Sequence, residues 1–293
     1  MIMTRGNFSI NFMKIRRIAL LLSAVLILGS ISLLMSRGLN LGIDFKGGNL
    51  LQIELPEPTN VSEVRSAMSE AKAEQAVIQA YSDRGFIIRL KTDSDEEVNK
   101  VISVMKSKYP GMELLRLEKV GPVVGQALRK QALIAVCVAL LGILAYITFR
   151  FRFRFAVVSV LALIHDSLIT LGVFSLTGRE ISLPFIAAIL TIVGYSLNDT
   201  IVVLDRIREN WKHVSKEGII NVLNMSINQT LSRTINTSLT TFLPVTALFI
   251  WGGPVIVNFA FAIMVGIIVG TYSSIYIASA LLAEWYKASP EKR

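Results

Sequence analysis

Three ionisable residues stand inside or at the mouth of long apolar runs: Asp166, Asp199 and Arg233. An ionised side chain in hydrocarbon costs ~2.5 to 3.5 kcal/mol on insertion scales, so each needs a partner or a use. Asp166 follows His165 about midway along the third apolar run. Asp199 lies in the second half of the fourth, and Arg233 opens the fifth, a depth at which the two could pair. Thr191, Tyr195 and Asp199 recur at steps of four, with Asn198 beside the carboxylate. Thr237, Thr240, Thr241 and Pro244 follow Arg233 along one helical face. Two polar stripes flanking a carboxylate and a guanidinium are the parts of a water-accessible proton path. The plainer alternative makes Arg233 a snorkelling interfacial anchor and Asp199 a structural partner. For Asp166, proton coupling and simple helix packing beside His165 both stand open.

Other chemistries find little support. The single cysteine, Cys137, lies in an apolar run and the two histidines are isolated, so neither a disulfide framework nor a metal site is expected. No Gly-x-x-x-x-Gly-Lys segment occurs, so bound nucleotide is not expected as an energy source, and no cofactor is predicted. An intramembrane aspartyl protease would need more than Asp166 and Asp199, and the Tyr-Asp and Gly-x-Gly-Asp flanks of such sites are missing. Ala262, Gly266, Gly270, Ser274 and Ala278 repeat every four residues, a spacing of small side chains that lets helix backbones approach closely.

The elements that must carry these residues are membrane helices. Of 293 residues, 53% are apolar, and the mean hydropathy is +0.57, more than one soluble core requires. Runs long enough to cross ~30 Å of hydrocarbon cover residues 18–35, 132–149, 155–176, 181–204, about 235–251 and 255–282. The first resembles a signal peptide in its basic flank, but it is too long for an h-region and no A-x-A-like site follows, so a retained anchor is expected. With the N-terminus inside, the inner segments hold fifteen basic residues: Arg5, Lys14, Arg16, Arg17, Arg150, Arg152, Arg154, Arg206, Arg208, Lys212, Lys216, Arg233, Lys287, Lys292 and Arg293. The outer short segments hold three, Arg129, Lys130 and Arg179, so both termini are expected in the cytoplasm.

Residues 37–128 then form an extracytoplasmic domain between 1–36, which carries the first span, and 129–293, which carries five. Residues 37–127 hold 12 basic and 13 acidic side chains, so the net charge of +9 belongs to the membrane part and speaks for anionic lipid rather than nucleic acid. Alternation predicts strands at 49–55, 76–81, 86–91 and 112–120. Asn60 with Glu63, and Ser94 with Glu97, predict two capped helices. The order βαββαβ predicts a small ferredoxin-like α+β unit on a six-helix polytopic membrane protein.

Several stretches resemble SecF proteins of the SecD/SecF family, within the resistance-nodulation-division superfamily. Gly42-Ile43-Asp44-Phe45-Lys46-Gly47-Gly48 is similar to the motif that opens the family's periplasmic domain. Val120-Gly121-Pro122-Val123-Val124-Gly125 is similar to its re-entry segment. The longest match runs from Gly194-Tyr195-Ser196-Leu197-Asn198-Asp199-Thr200 through Asp205-Arg206-Ile207-Arg208-Glu209-Asn210. Leu231-Ser232-Arg233-Thr234 and Trp251-Gly252-Gly253-Pro254 add to it. The resemblance implies a bacterial inner-membrane subunit that uses the proton-motive force to promote export of unfolded polypeptide, with Asp199 and Arg233 as the membrane carboxylate and arginine. It implies a separate SecD chain, the SecYEG channel, and SecA, YajC and YidC as further candidate partners. The competing function is half of a proton-driven small-molecule efflux transporter of the same superfamily, for which one outer domain of ~90 residues is small.

Overall fold

The computed structural model describes residues 10–151 and 153–288. Of the basic residues counted for orientation, Arg5, Arg152, Lys292 and Arg293 lie outside the described residues. The principal elements are α1 (Arg16–Ser36), a short α2 (Ile43–Lys46), β1 (Gly48–Glu54), α3 (Val61–Glu70), β2 (Val77–Ala80), β3 (Gly85–Leu90), α4 (Asp95–Lys108) and β4 (Glu113–Val120). There follow α5 (Pro122–Arg150), α6 (Phe153–Thr177), α7 (Leu183–Asn210), α8 (Ile219–Trp251) and α9 (Gly253–Tyr272). The last runs through a π-helical turn, Ser273–Ile277, into α10 (Ala278–Ala288). Among the described residues, six helical stretches are long and apolar enough to cross a membrane. The chain divides into two compact units, Leu41–Ile134 and Met1–Asn40 with Ala135–Arg293, one division falling inside α5.

In the smaller unit the strands pair antiparallel in the order β2-β3-β1-β4. Leu51 faces Ile88 and Ile53 faces Phe86 across β1 and β3, so alternate residues point to one side of the sheet. That side is closed by α3 and α4 through Val64, Met68, Val101 and Met105. Both helix starts are capped: the Asn60 carboxamide oxygen accepts from the Glu63 amide at 3.0 Å, and Ser94 Oγ accepts from the Glu97 amide at 3.4 Å. Within the Gly42-to-Gly48 segment, α2 has Phe45 buried and Asp44 in its first turn. It ends on two glycines with φ of +79° and +119°, a region that L side chains avoid. A Cβ on Gly48 would strike the Leu90 carbonyl oxygen. One on Gly47 would lie 3.1 Å from Pro122, and one on Gly125 3.2 Å from Phe45. The two segments read separately in sequence as motifs are therefore packed backbone to backbone.

In the membrane unit, α9 lies along α7 through small residues. A Cβ on Gly266 would run into the Ile192 side chain, one on Gly270 would lie 3.0 Å from Ser196 Cβ, and Ser274 Oγ is 2.9 Å from Thr200 Oγ1. The four-residue stripe at 266, 270 and 274 thus meets a four-residue stripe at 192, 196 and 200 within this chain. Likewise α1 crosses α6 where Gly172 leaves room for Ser30. Where α7 ends and α8 begins, a second apolar cluster gathers Phe12, Met13, Phe155, Ile207, Leu223 and Tyr286. Arg179, between α6 and α7, lies over the Phe261 ring at 4.3 Å and donates to Asn258 Oδ1 at 3.0 Å; burial lowers its pKa from the ordinary guanidinium value. By contrast α5 keeps its apolar surface bare, with Leu133, Val138 and Leu141 each more than 60% exposed.

Candidate functional site

The helix α8 has 33 residues, ~50 Å at 1.5 Å per residue, against a hydrocarbon core of ~30 Å. Its first third is amphipathic, with Asn221, Asn224 and Asn228 among the buried Val222, Leu223 and Ile227. Asn228 both accepts from the Ile10 amide at 2.9 Å and donates to the Ile10 carbonyl at 2.8 Å, and Asn224 accepts from the Met13 amide. The last ~20 residues are the apolar part, so Arg233 stands where the span begins. The sequence places Asp199 in α7, and the packing of α7 on α8 decides what surrounds it.

Asp199 is 2% exposed. Its Oδ2 accepts from Ser238 Oγ on α8 at 3.3 Å, and Ser238 is in turn 2.7 Å from Thr271 Oγ1 on α9. Arg233 is exposed on α8 and makes no ion pair with Asp199 among the described residues; its charge acts through space. Thr237, Thr240 and Thr241 donate to carbonyls of their own helix, those of Arg233, Asn236 and Thr237, at 2.8, 2.8 and 3.0 Å. The expected stripe is therefore locally satisfied and does not hydrogen-bond the carboxylate. The buried polar row on α8 is Ser226, Thr230, Thr234 and Ser238, one position further round the helix. On α7, Thr191 and Asn198 are exposed, while the Tyr195 hydroxyl is enclosed and has no hydrogen-bond partner among the described residues, as is also true of Thr234 Oγ1. A shallow groove of about 320 Å³, lined by Ile235, Ser238, Leu239, Phe242, Ile267 and Thr271, opens on the Ser238 and Thr271 hydroxyls.

Asp166 has a fuller setting. Its Oδ1 is 2.8 Å from His165 Nδ1, and its Oδ2 accepts from Ser196 Oγ at 2.6 Å and Ser273 Oγ at 2.8 Å. His165 Nε2 is 3.0 Å from Ser23 Oγ on α1. Serine, histidine and aspartate thus stand in the contact order of a hydrolase triad. All three are less than 5% exposed, so a substrate carbonyl has no approach to Ser23. No hydrogen bond joins Asp166 to Asp199, as a protease dyad sharing a proton would require. Sequence reasoning missed Ser238, Ser196, Ser273 and Ser23; the one available signal was that serines 196 and 273 sit on the small-residue faces. No group of three or more His, Cys, Asp or Glu side chains is placed to hold a metal among the described residues.

A multi-pass membrane protein with a separate small α+β unit and two enclosed carboxylates, on α6 and α7, is the class that this geometry defines. Residues 100–288 match the family model described as protein export membrane protein SecD/SecF, C-terminal, and residues 32–55 match the SecD/SecF GG motif. The chain is 47% identical over 289 residues to the protein translocase subunit SecF of Desulfurispirillum indicum, covering 95% of this chain and 92% of that one. It is 40% identical to that of Pseudomonas aeruginosa, covering 97% and 93%. The crystal structure of SecDF, a translocon-associated membrane protein from Thermus thermophilus, superimposes with a TM-score of 0.91 at 43% identity. That match takes in 97% of this chain and 40% of the length of the other. The chain belongs to the SecD/SecF family of protein export membrane proteins.

Proposed function

We propose that this protein is a SecF-type accessory subunit of the Sec translocase that, with SecD, uses the proton-motive force to promote export of unfolded polypeptide. The carrying observation is Asp199: a carboxylate enclosed between membrane helices, held by one long hydroxyl contact and without a direct ion pair. A carboxylate so held can change its proton occupancy without dismantling a buried salt bridge. Arg233 at the mouth of α8 is the charge that tunes it, since a nearby guanidinium favours the ionised form and desolvation the neutral one. Asp166 is the second candidate for coupling. Moving one charge through the field yields ~2.3 kcal/mol per 100 mV, and driving a two-state equilibrium from 1:99 to 99:1 needs ~5.5 kcal/mol. That is about two to three protons per step at 100 mV, or one to two near 200 mV.

The excess of basic residues in the short inner connections supports an inner-membrane placement with both termini cytoplasmic and residues 37–128 periplasmic. The order βαββαβ and the strand order β2-β3-β1-β4 support a ferredoxin-like fold for that domain. The bare apolar surface of α5 supports a partner helix, with SecD as the candidate. SecYEG, SecA, YajC and YidC are the wider set. Export into vesicles with and without an imposed proton gradient tests the reading: Asp199→Asn should lose the gradient-dependent increment and keep ATP-driven translocation. A gradient response equal to that of the unmodified protein would make the carboxylate structural. Copurification of a self-associated trimer without SecD would favour small-molecule efflux instead.

A further inference from the structure

We infer that Thr234 seats a water between the mouth of α8 and the Asp199 carboxylate, and that the proton path follows this enclosed face of the helix. The inference rests on the proposed role of Asp199 and names the route to it. Thr234 is 1% exposed, and its Oγ1 meets no hydrogen-bond partner among the described residues. A helical threonine has a ready remedy, the carbonyl three or four residues back. The other five threonines of α8, Thr230, Thr237, Thr240, Thr241 and Thr246, all use it. Thr234 does not, although an enclosed hydroxyl without a partner costs about 1 to 3 kcal/mol. A small ligand with hydrogen bonds of its own removes that cost, and water is the smallest that can.

Position makes the seat useful. Thr234 stands four residues before Ser238, so both lie on one face of α8, ~6 Å apart along its axis, and Ser238 is the residue that donates to Asp199. In the other direction Thr234 adjoins Arg233, which is exposed where the apolar part begins. On α7, Tyr195 lies one turn from Asp199, and its hydroxyl is likewise enclosed and without a partner among the described residues. Consecutive helices that pack together across a short connection run antiparallel, so the Thr234 and Tyr195 hydroxyls fall on opposite sides of the carboxylate. A buried water needs about two to four polar partners, and Thr234, Ser238 and Asp199 are those that this face supplies. The groove on the other side of Ser238 is a poorer route. Ile235 and Leu239 on its rim are 48% and 53% exposed within the span, so it faces hydrocarbon. At the seat, a water passes one proton to the carboxylate and takes one from water at the mouth, so one O–H bond forms for each that breaks.

Thr234→Val exchanges the hydroxyl for a methyl of nearly the same shape, so a water seat and an idle hydroxyl give opposite results. With a water seat, Thr234→Val loses the gradient-dependent increment of export into vesicles and keeps ATP-driven translocation, and Thr234→Ser keeps both. An idle hydroxyl makes Thr234→Val melt higher than the parent with its increment intact, which would overturn the inference. Asp199→Asn in the same assay separates the two claims. Loss there beside a full increment in Thr234→Val removes the route and leaves the role of the carboxylate standing, whereas a full increment in Asp199→Asn removes the role and the route together. If Thr234→Val does not assemble, the unmodified chain in lipid nanodiscs decides. Magic-angle-spinning NMR of threonine-labelled protein, with the Thr234 signal assigned by its disappearance in Thr234→Ser, should show magnetisation passing from water to that side chain. No transfer would overturn the water seat.

Discussion

Asp166 and Asp199 lie on adjacent membrane helices and are both almost fully enclosed, yet their surroundings are built to opposite ends. The Asp166 carboxylate engages three side chains from three separate parts of the bundle at 2.6 to 2.8 Å. That of Asp199 accepts from one, at 3.3 Å, beside a groove that opens on the same hydroxyl. Charged carboxylates gain most from several short donors, and removing the acceptor leaves those donors unsatisfied. Asp166 is thus a cross-link of the fold, whereas Asp199 is held by a single long contact, which on the proposed reading lets its protonation change without taking the bundle apart.

The largest effect that can break this comparison is on stability. Asp166→Leu strands His165, Ser196 and Ser273 in apolar surroundings and should cost about 3 to 5 kcal/mol or prevent assembly altogether. Thermal aggregation in detergent is the readout, and a stable Asp166→Leu protein would mean that its hydrogen bonds are ornamental. Next comes Gly266→Leu, whose side chain must displace Ile192 and should destabilise the α7–α9 contact by about 1 to 3 kcal/mol, with Ile192→Ala restoring part of the loss. Asp199→Asn should change stability by about 1 kcal/mol or less, since one long hydrogen bond is at stake and the amide oxygen can accept it in turn. Equal melting losses for Asp166→Asn and Asp199→Asn would erase the distinction between the two sites.

The smaller effects sharpen the Asp199 side. Ser238→Ala removes its hydroxyl partner and should lower the gradient-dependent part of export while leaving melting within about 1 kcal/mol of the parent. Thr237→Val, one position away, removes a hydroxyl already bonded to its own helix and should alter stability by about 0.5 kcal/mol at most and transport not at all. Transport lost in Thr237→Val and kept in Ser238→Ala would return the proton path to the exposed face of α8.

The elements were legible because their signals are local. Six apolar runs, alternation in four short strands, and Asn60 and Ser94 three residues before a glutamate depend on near neighbours alone, and the strands and the apolar parts of the helices lie within a few residues of where those patterns put them. Helix ends beyond the apolar runs were not legible, since α8 begins sixteen residues before Ile235 in a stretch whose asparagines hold the backbone of Ile10 and Met13 and whose Leu223 and Ile227 join an apolar cluster made by distant parts of the chain.

What the amino-acid sequence determined by itself was the presence of two carboxylates and a guanidinium at membrane depth, because the cost of charge in hydrocarbon makes them conspicuous in any packing. Which side chains meet them was decided only by the tertiary structure. A helix offers a hydroxyl every three or four residues on any of its faces, and a rotation of one position separates Thr237 from Ser238. The choice was made by the glycines of α9, which draw that helix onto α7 until Ser273 reaches Asp166 and Thr271 reaches the hydroxyl that holds Asp199.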